Sequence, residues 1–122
     1  LATDRANAAV SEYYDEYHPA VLRFIAEAVR RVCGAGKEIS VCGEMAGRPD
    51  LTEFFLGLGC RTLSMDASSI PAVKARILRI DIEDAETFAG RLIRRRTSES
   101  VRRAVEDHQA QYLSALNQET AQ

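Results

Sequence analysis

At 122 residues the chain has room for one domain, or for part of a larger one, and its 46% apolar and 28% charged residues exclude a disordered polymer. A net charge of −2 offers no global field toward nucleic acid, and no apolar run approaches the about 18 residues of a membrane span, so membrane insertion is not expected. Three cysteines without Cys-x-x-Cys spacing, far from His18 and His108, argue against a disulfide framework or a zinc site and suit a reducing cytoplasm.

The opening Leu1-Ala2-Thr3-Asp4-Arg5 lacks the basic start and apolar stretch of a secretory signal. With no initiator Met, the chain is expected to begin inside a longer reading frame. Residues 6–17 are mixed, with Tyr13, Tyr14 and Tyr17 close together. His18-Pro19 starts a helix, since proline is tolerated in a first turn. Val21, Leu22, Ile25, Ala28, Val29, Val32 and Cys33 recur at three- and four-residue spacing and predict one apolar stripe, ended by Gly34 and Gly36. Glu38 to Cys42 is short, partly β-branched and followed by Gly43, which predicts a strand.

Residues 49–58 read as a helix with Pro49 at its start and Leu51, Phe54, Phe55 and Leu58 on one face; Gly57 and Gly59 close it. Arg61 to Met65 is a second short strand. A helix follows with Ser68 or Ser69 as N-cap, Pro71 in its first turn, and Ile70, Val73, Ile77 and Leu78 facing inward. After Ile80 two helices are expected, capped by Asp81-Ile82-Glu83-Asp84 and Thr97-Ser98-Glu99-Ser100, the second carrying Val101, Val105, Tyr112, Leu113 and Leu116. Arg94-Arg95-Arg96 is the densest positive run and reads as a solvated helix end without aromatic residues interleaved for strand binding. From Asn117 the tail is polar and expected to fray.

Helix, strand, helix, strand, helix is the α/β alternation of parallel-sheet folds. Two strands do not make a self-sufficient parallel sheet, so the chain reads as a fragment whose strand edges need a partner.

In such folds functional side chains sit where strands end and loops begin, on the C-terminal side. Cys42 holds that place, before a glycine-rich turn in which Gly43 and Gly47 allow close backbone approach. A thiol there serves as nucleophile, as proton donor or as a small buried filler, and spacing alone does not choose among them. Cys33 and Cys60 read as filler. Glu44 is placed either to orient the thiol or to cap a helix.

Val41-Cys42-Gly43-Glu44-Met45-Ala46-Gly47, then Leu56-Gly57-Leu58-Gly59, Leu63-Ser64-Met65 and Ser68-Ser69-Ile70-Pro71-Ala72-Val73-Lys74 resemble enzyme I of the phosphoenolpyruvate:sugar phosphotransferase system. So do the opening Leu1 to Arg5 with Asn7, and His18-Pro19-Ala20-Val21-Leu22. The matches occur in order over residues 1 to about 93 and are specific as a set. The resemblance implies an α/β fold: the C-terminal portion of a phosphoenolpyruvate-binding (β/α)8 TIM-type barrel with two or three extra C-terminal helices, an incomplete barrel as it stands. Residues 1–80 would be its last β/α units, 81–116 the C-terminal helices of the same domain and 117–122 the polar tail. The strand ending at Cys42 would be the seventh, and that ending near Met65 the eighth.

The same resemblance implies the activity and its residues. In the family, phosphoenolpyruvate phosphorylates a histidine on a separate domain, with Mg2+ held by the substrate and two carboxylates. The phosphoryl group then passes to the carrier protein HPr. The position of Cys42 is that of the proton donor which turns enolpyruvate into pyruvate. The position of Arg5 is that of a contact to the substrate phosphate. The chemistry agrees: a bidentate guanidinium suits phosphate oxygens, and a thiol with a reference pKa of about 8.5 stays mostly protonated at neutral pH. Read without the resemblance, Arg5 is a surface arginine beside Asp4.

Neither His18 nor His108 lies in a glycine-rich acceptor loop, so the acceptor histidine, the Mg2+ ligands and further phosphate-binding arginines are expected outside this chain. The isolated 122 residues are accordingly expected to be inactive. Arg48 departs from the acidic residue usual after the motif. A homodimeric, cytoplasmic parent is implied. Two other readings stay open: a non-catalytic dimerisation or interaction module, and the corresponding part of pyruvate phosphate dikinase or phosphoenolpyruvate synthase, which Met45-Ala46-Gly47 and Ser68-Ser69-Ile70-Pro71 fit less well.

Overall fold

The computed structural model describes residues 7–120, which form a mixed α/β domain of five helices around a two-stranded sheet. Helix α1 spans Pro19–Gly34. His18 caps it through Nδ1, which accepts from the Ala20 N–H at 3.2 Å, and Pro19 fills the first turn where no N–H is needed. Its end is set by Gly36 at φ 68°, with Lys37 N–H donating to Val32 O and Gly36 N–H to Cys33 O; this is the glycine-terminated Schellman pattern. Leu22 and Val29 are fully buried along α1, whereas Cys33 is exposed and is not the filler its spacing suggests. By its last turn the helix has passed beyond the core.

Strands β1 (Ser40–Cys42) and β2 (Thr62–Ser64) pair in parallel with Ser40 opposite Thr62, Val41 opposite Leu63 and Cys42 opposite Ser64. Both are shorter than expected: only these three positions of each run find a ladder partner. Between them the predicted single helix is split into a 3-10 turn at Pro49–Leu51 and helix α2, Thr52–Gly57. A second Schellman end follows, built on Gly59 at φ 102°, with Cys60 N–H reaching Phe55 O and Gly59 N–H reaching Leu56 O. Cys60 itself is buried.

Helix α3 (Ile70–Ile77) is rotated from the expected orientation. Val73 and Arg76 point inward, and Ile70, Ile77 and Leu78 are 48%, 41% and 75% exposed. The inward direction lies between Val73 and Arg76, which puts Ile70 and Ile77 on one flank and Leu78 on the outer face. Ser69 occupies the N-cap position without a side-chain cap bond, while its carbonyl accepts from Val73 N–H at 3.1 Å.

Helix α4 (Ile82–Ile93) is capped by Asp81, whose carboxylate accepts from the Glu83 and Asp84 N–H groups. Ala85, Phe88, Ala89 and Leu92 form its buried stripe. At its other end Arg23 of α1 donates to the carbonyls of Ile93 and Arg95 at 2.9 and 2.6 Å, placing a cation on the negative end of the helix. The Arg94-Arg95-Arg96 run is exposed.

Helix α5 (Ser98–Thr120) begins with a reciprocal cap between Thr97 and Ser100, and it continues past Asn117 into the segment expected to fray. Its inner stripe runs Val101, Val105, His108, Tyr112; Leu113 is 48% exposed. Phe54, Phe55, Phe88, Leu92, Leu22 and Val101 share one core, in which α2 packs on α4. Among the described residues no helix is long and apolar enough to cross a membrane.

Candidate active site at the C-terminal ends of the strands

Parallel pairing puts Cys42 and Ser64 side by side as the last residues of their strands, so the loops that follow leave from one edge. The chain turns at once. Gly43 has φ 94°, a backbone conformation that side chains disfavour, and Glu44–Gly47 then forms a 3-10 turn. The turn is pressed against the loop after β2: a Cβ at Gly47 would lie 3.0 Å from Ser69 Oγ and 3.5 Å from Met65 Cβ. The two glycines therefore act differently, Gly43 through its backbone angles and Gly47 through lack of room.

Cys42 is exposed and lines an open cleft of about 510 Å³ with Ile39, Val41, Gly43, Glu44 and Tyr14. The thiol thus stands on a strand end, before a turn fixed by Gly43, and is reached from that cleft. Arg5, the other site residue singled out from the sequence, lies outside the described residues. Among the described residues no group of three or more His, Cys, Asp or Glu side chains is arranged to hold a metal ion.

Arg48, just past the turn, anchors a polar cluster that the sequence did not reveal. Its guanidinium donates to Glu16 at 2.6 Å, to Asp50 at 2.9 and 3.2 Å, and to the Tyr17 hydroxyl. Tyr17 in turn donates to Asp50 at 2.8 Å. Burial, reinforced by Asp50, pushes the Tyr17 phenol well above its ordinary range. On the other side of Tyr17, Arg102 of α5 packs over the ring and pairs with Asp15 at 2.7 Å. The unexpected charge at 48 is thus paired locally, by two carboxylates and a phenol directly after the turn.

His18 is exposed at its helix cap, whereas His108 is half-buried, stacked on Phe88 and bonded to Glu53. His108 therefore is not the solvent-facing residue that a polar C-terminal helix suggests.

Residues 1–82 match the family described as PEP-utilising enzyme, PEP-binding domain. The chain is 44% identical over 101 residues to a phosphoenolpyruvate-protein phosphotransferase of Haloferax volcanii, covering 83% of this chain and 18% of that protein. It is 40% identical over 105 residues to a Salmonella typhimurium protein named phosphoenolpyruvate-dependent phosphotransferase system, covering 86% and 14%. It is 41% identical over 93 residues to a phosphoenolpyruvate-protein phosphotransferase of Cupriavidus necator, covering 76% and 16%. The chain thus spans less than a fifth of the length of these relatives.

Proposed function

Because the chain belongs to the PEP-utilising enzymes, as part of their PEP-binding domain, we propose that it is the Cys42-bearing part of a phosphoenolpyruvate-protein phosphotransferase. The parent activity transfers the phosphoryl group of phosphoenolpyruvate to a histidine outside this chain and on to an HPr-type carrier, leaving pyruvate. One observation carries the reading: Cys42 is an exposed thiol on the C-terminal end of a parallel strand, fixed by the Gly43 turn beside an open cleft.

Loss of the phosphoryl group leaves the enolate of pyruvate. Its nucleophilic carbon takes the proton of the Cys42 thiol, the S–H bond breaks as the C–H bond forms, and the enolate oxygen becomes the ketone. Solvent returns the proton to the thiolate. Arg5 contacts the substrate phosphate, where a guanidinium can bind two oxygens at once. Mg2+ belongs to the parent reaction, and its ligands are assigned outside this chain.

In architecture, β1 and β2 are the seventh and eighth strands of a (β/α)8 barrel. Residues 1–80 supply its last β/α units, 81–116 its C-terminal helices and 117–122 its tail. The exposed Ile77 and Leu78 favour a second reading, a dimerisation or interaction surface in a cytoplasmic homodimer.

Cys42→Ala in the complete protein separates the two. Pyruvate formation from phosphoenolpyruvate should fall by about 10² or more, the range of a lost proton donor, with the oligomeric state unchanged. Normal turnover with lost dimerisation would support the structural reading instead.

A further inference from the structure

Glu53, Arg76 and His108 look like helix-surface residues in the sequence, yet they meet inside the domain. Arg76 is 2% exposed; its Nε and Nη2 donate to the two Glu53 oxygens at 3.1 Å each, and Nη1 donates to Gln109 Oε1 at 2.9 Å. The Tyr112 ring covers the guanidinium, with its centroid 3.6 Å from the central carbon. The Glu53 carboxylate also bonds His108 Nε2, and that imidazole stacks on Phe88 with centroids 4.0 Å apart. One buried carboxylate is therefore shared between a cation from α3 and an imidazole from α5. The cation's remaining edge and one face are held by α5 as well.

The place of this cluster in the chain gives it a consequence for the site. The Cys42 turn runs through the two 3-10 turns into α2, which carries Glu53. Strand β2 runs through Ser69 into α3, which carries Arg76, and Ser69 is the residue that abuts Gly47. The Glu53–Arg76 pair thus ties together the two helices whose entry loops touch behind Cys42. A short helix moves as a unit, so a change of angle between α2 and α3 is felt at both loops.

We infer that Arg76 is a positioning residue for the Cys42 turn, and that the C-terminal helix sets that position through Gln109 and Tyr112. The inference rests on Cys42 being the proton donor. A thiol must lie over one face of a planar enolate, and a displacement of about 1 Å can cost about 10²-fold in rate.

The test uses two variants of the complete protein. Gln109→Leu with Tyr112→Leu removes the two contacts of α5 to Arg76 while leaving the buried pair and its bond to His108 intact. Arg76→Met with Glu53→Leu removes both charges together, so neither is left buried alone, and frees His108 and Gln109 of their partners. For each, kcat and KM for pyruvate formation are measured with the rate of Cys42 alkylation by iodoacetamide, mapped by mass spectrometry, and with thermal unfolding. The expected result is a kcat lower by about fivefold or more, KM for phosphoenolpyruvate within about twofold, and an altered alkylation rate at Cys42 but not at Cys33, in proteins still folded at the assay temperature. Unchanged kcat and unchanged Cys42 alkylation, with only a lower Tm, would overturn it. If the unsubstituted protein forms no pyruvate, the proton-donor reading fails on its own, and the alkylation rates still decide whether α5 positions the turn.

Discussion

Replacing Gly57 by alanine sets helix propensity against packing at one atom. In an open helix the change favours folding by about 0.8–1 kcal/mol, because alanine loses less backbone freedom. Gly57, however, closes α2 where it crosses α4. An added Cβ would lie 2.5 Å from the Ala85 carbonyl carbon and 2.9 Å from Glu86 N, and closer still to the Ala85 oxygen. These are backbone atoms in a turn pinned by the Asp81 cap, so no side chain can swing away. The helices must part, which loosens a core shared by Phe54, Phe55, Phe88 and Leu92. Overpacking of this kind costs about 1–3 kcal/mol, and a backbone contact belongs at the upper end. Setting about 3 against about 1 leaves a net loss of about 2 kcal/mol. Gly90 is the internal contrast: its Cβ would meet only the tip of Arg94, at 3.5 Å, so alanine there should stabilise. Urea denaturation followed by circular dichroism reads both signs. A Gly57→Ala protein as stable as the original, or the same sign at both positions, would refute the reasoning.

Gly47→Ala should disturb the Cys42 turn by collision with Ser69, and Ser69→Gly in the same protein should restore much of the lost activity; equal defects with and without Ser69→Gly would show that the contact is not the cause. Acid should weaken the fold through two carboxylates. Burial alone would raise Glu53, but His108 and Arg76 hold it below the ordinary range; burial likewise opposes Asp15, which Ser98, the Tyr17 N–H and Arg102 hold down. Folded values below unfolded ones mean that this stability is complete above about pH 5 and is lost as pH falls through the folded values. A urea midpoint that stays flat or rises between pH 5 and 3 would contradict this.

Much of the fold was legible because its signals are local. Pro19 after His18, Asp81 before an acidic first turn, and Thr97 with Ser100 act within four residues, and each helix start came out where those residues place it. Gly36 and Gly59 acted as expected for the same reason, since a positive φ is a property of one residue. Orientation was less legible. In α3 the apolar spacing alone pointed Ile70, Ile77 and Leu78 inward, but an arginine claimed the inner direction because a glutamate from α2 was waiting for it. Periodicity assigns an apolar face; it does not know that a buried charge has a partner 23 residues away.

The site divides along the same line. Cys42 could be picked out because its strand, its glycines and its turn are neighbours in sequence. The groups behind it could not. Arg48 stands out only as a departure, and its three partners come from both sides of α1: Glu16 and Tyr17 before it, Asp50 after it. The Arg48 side chain is 37% exposed, so solvent screens part of its charge, and its acidic partners Glu16 and Asp50 offset the rest. Replacing Arg48 alone by an acidic residue would therefore leave Glu16 and Asp50 facing a third carboxylate, with only Arg102, already paired with Asp15, nearby. Glu16, Asp50 and residue 48 have to be read together, as one ion-paired unit next to the turn that carries Cys42.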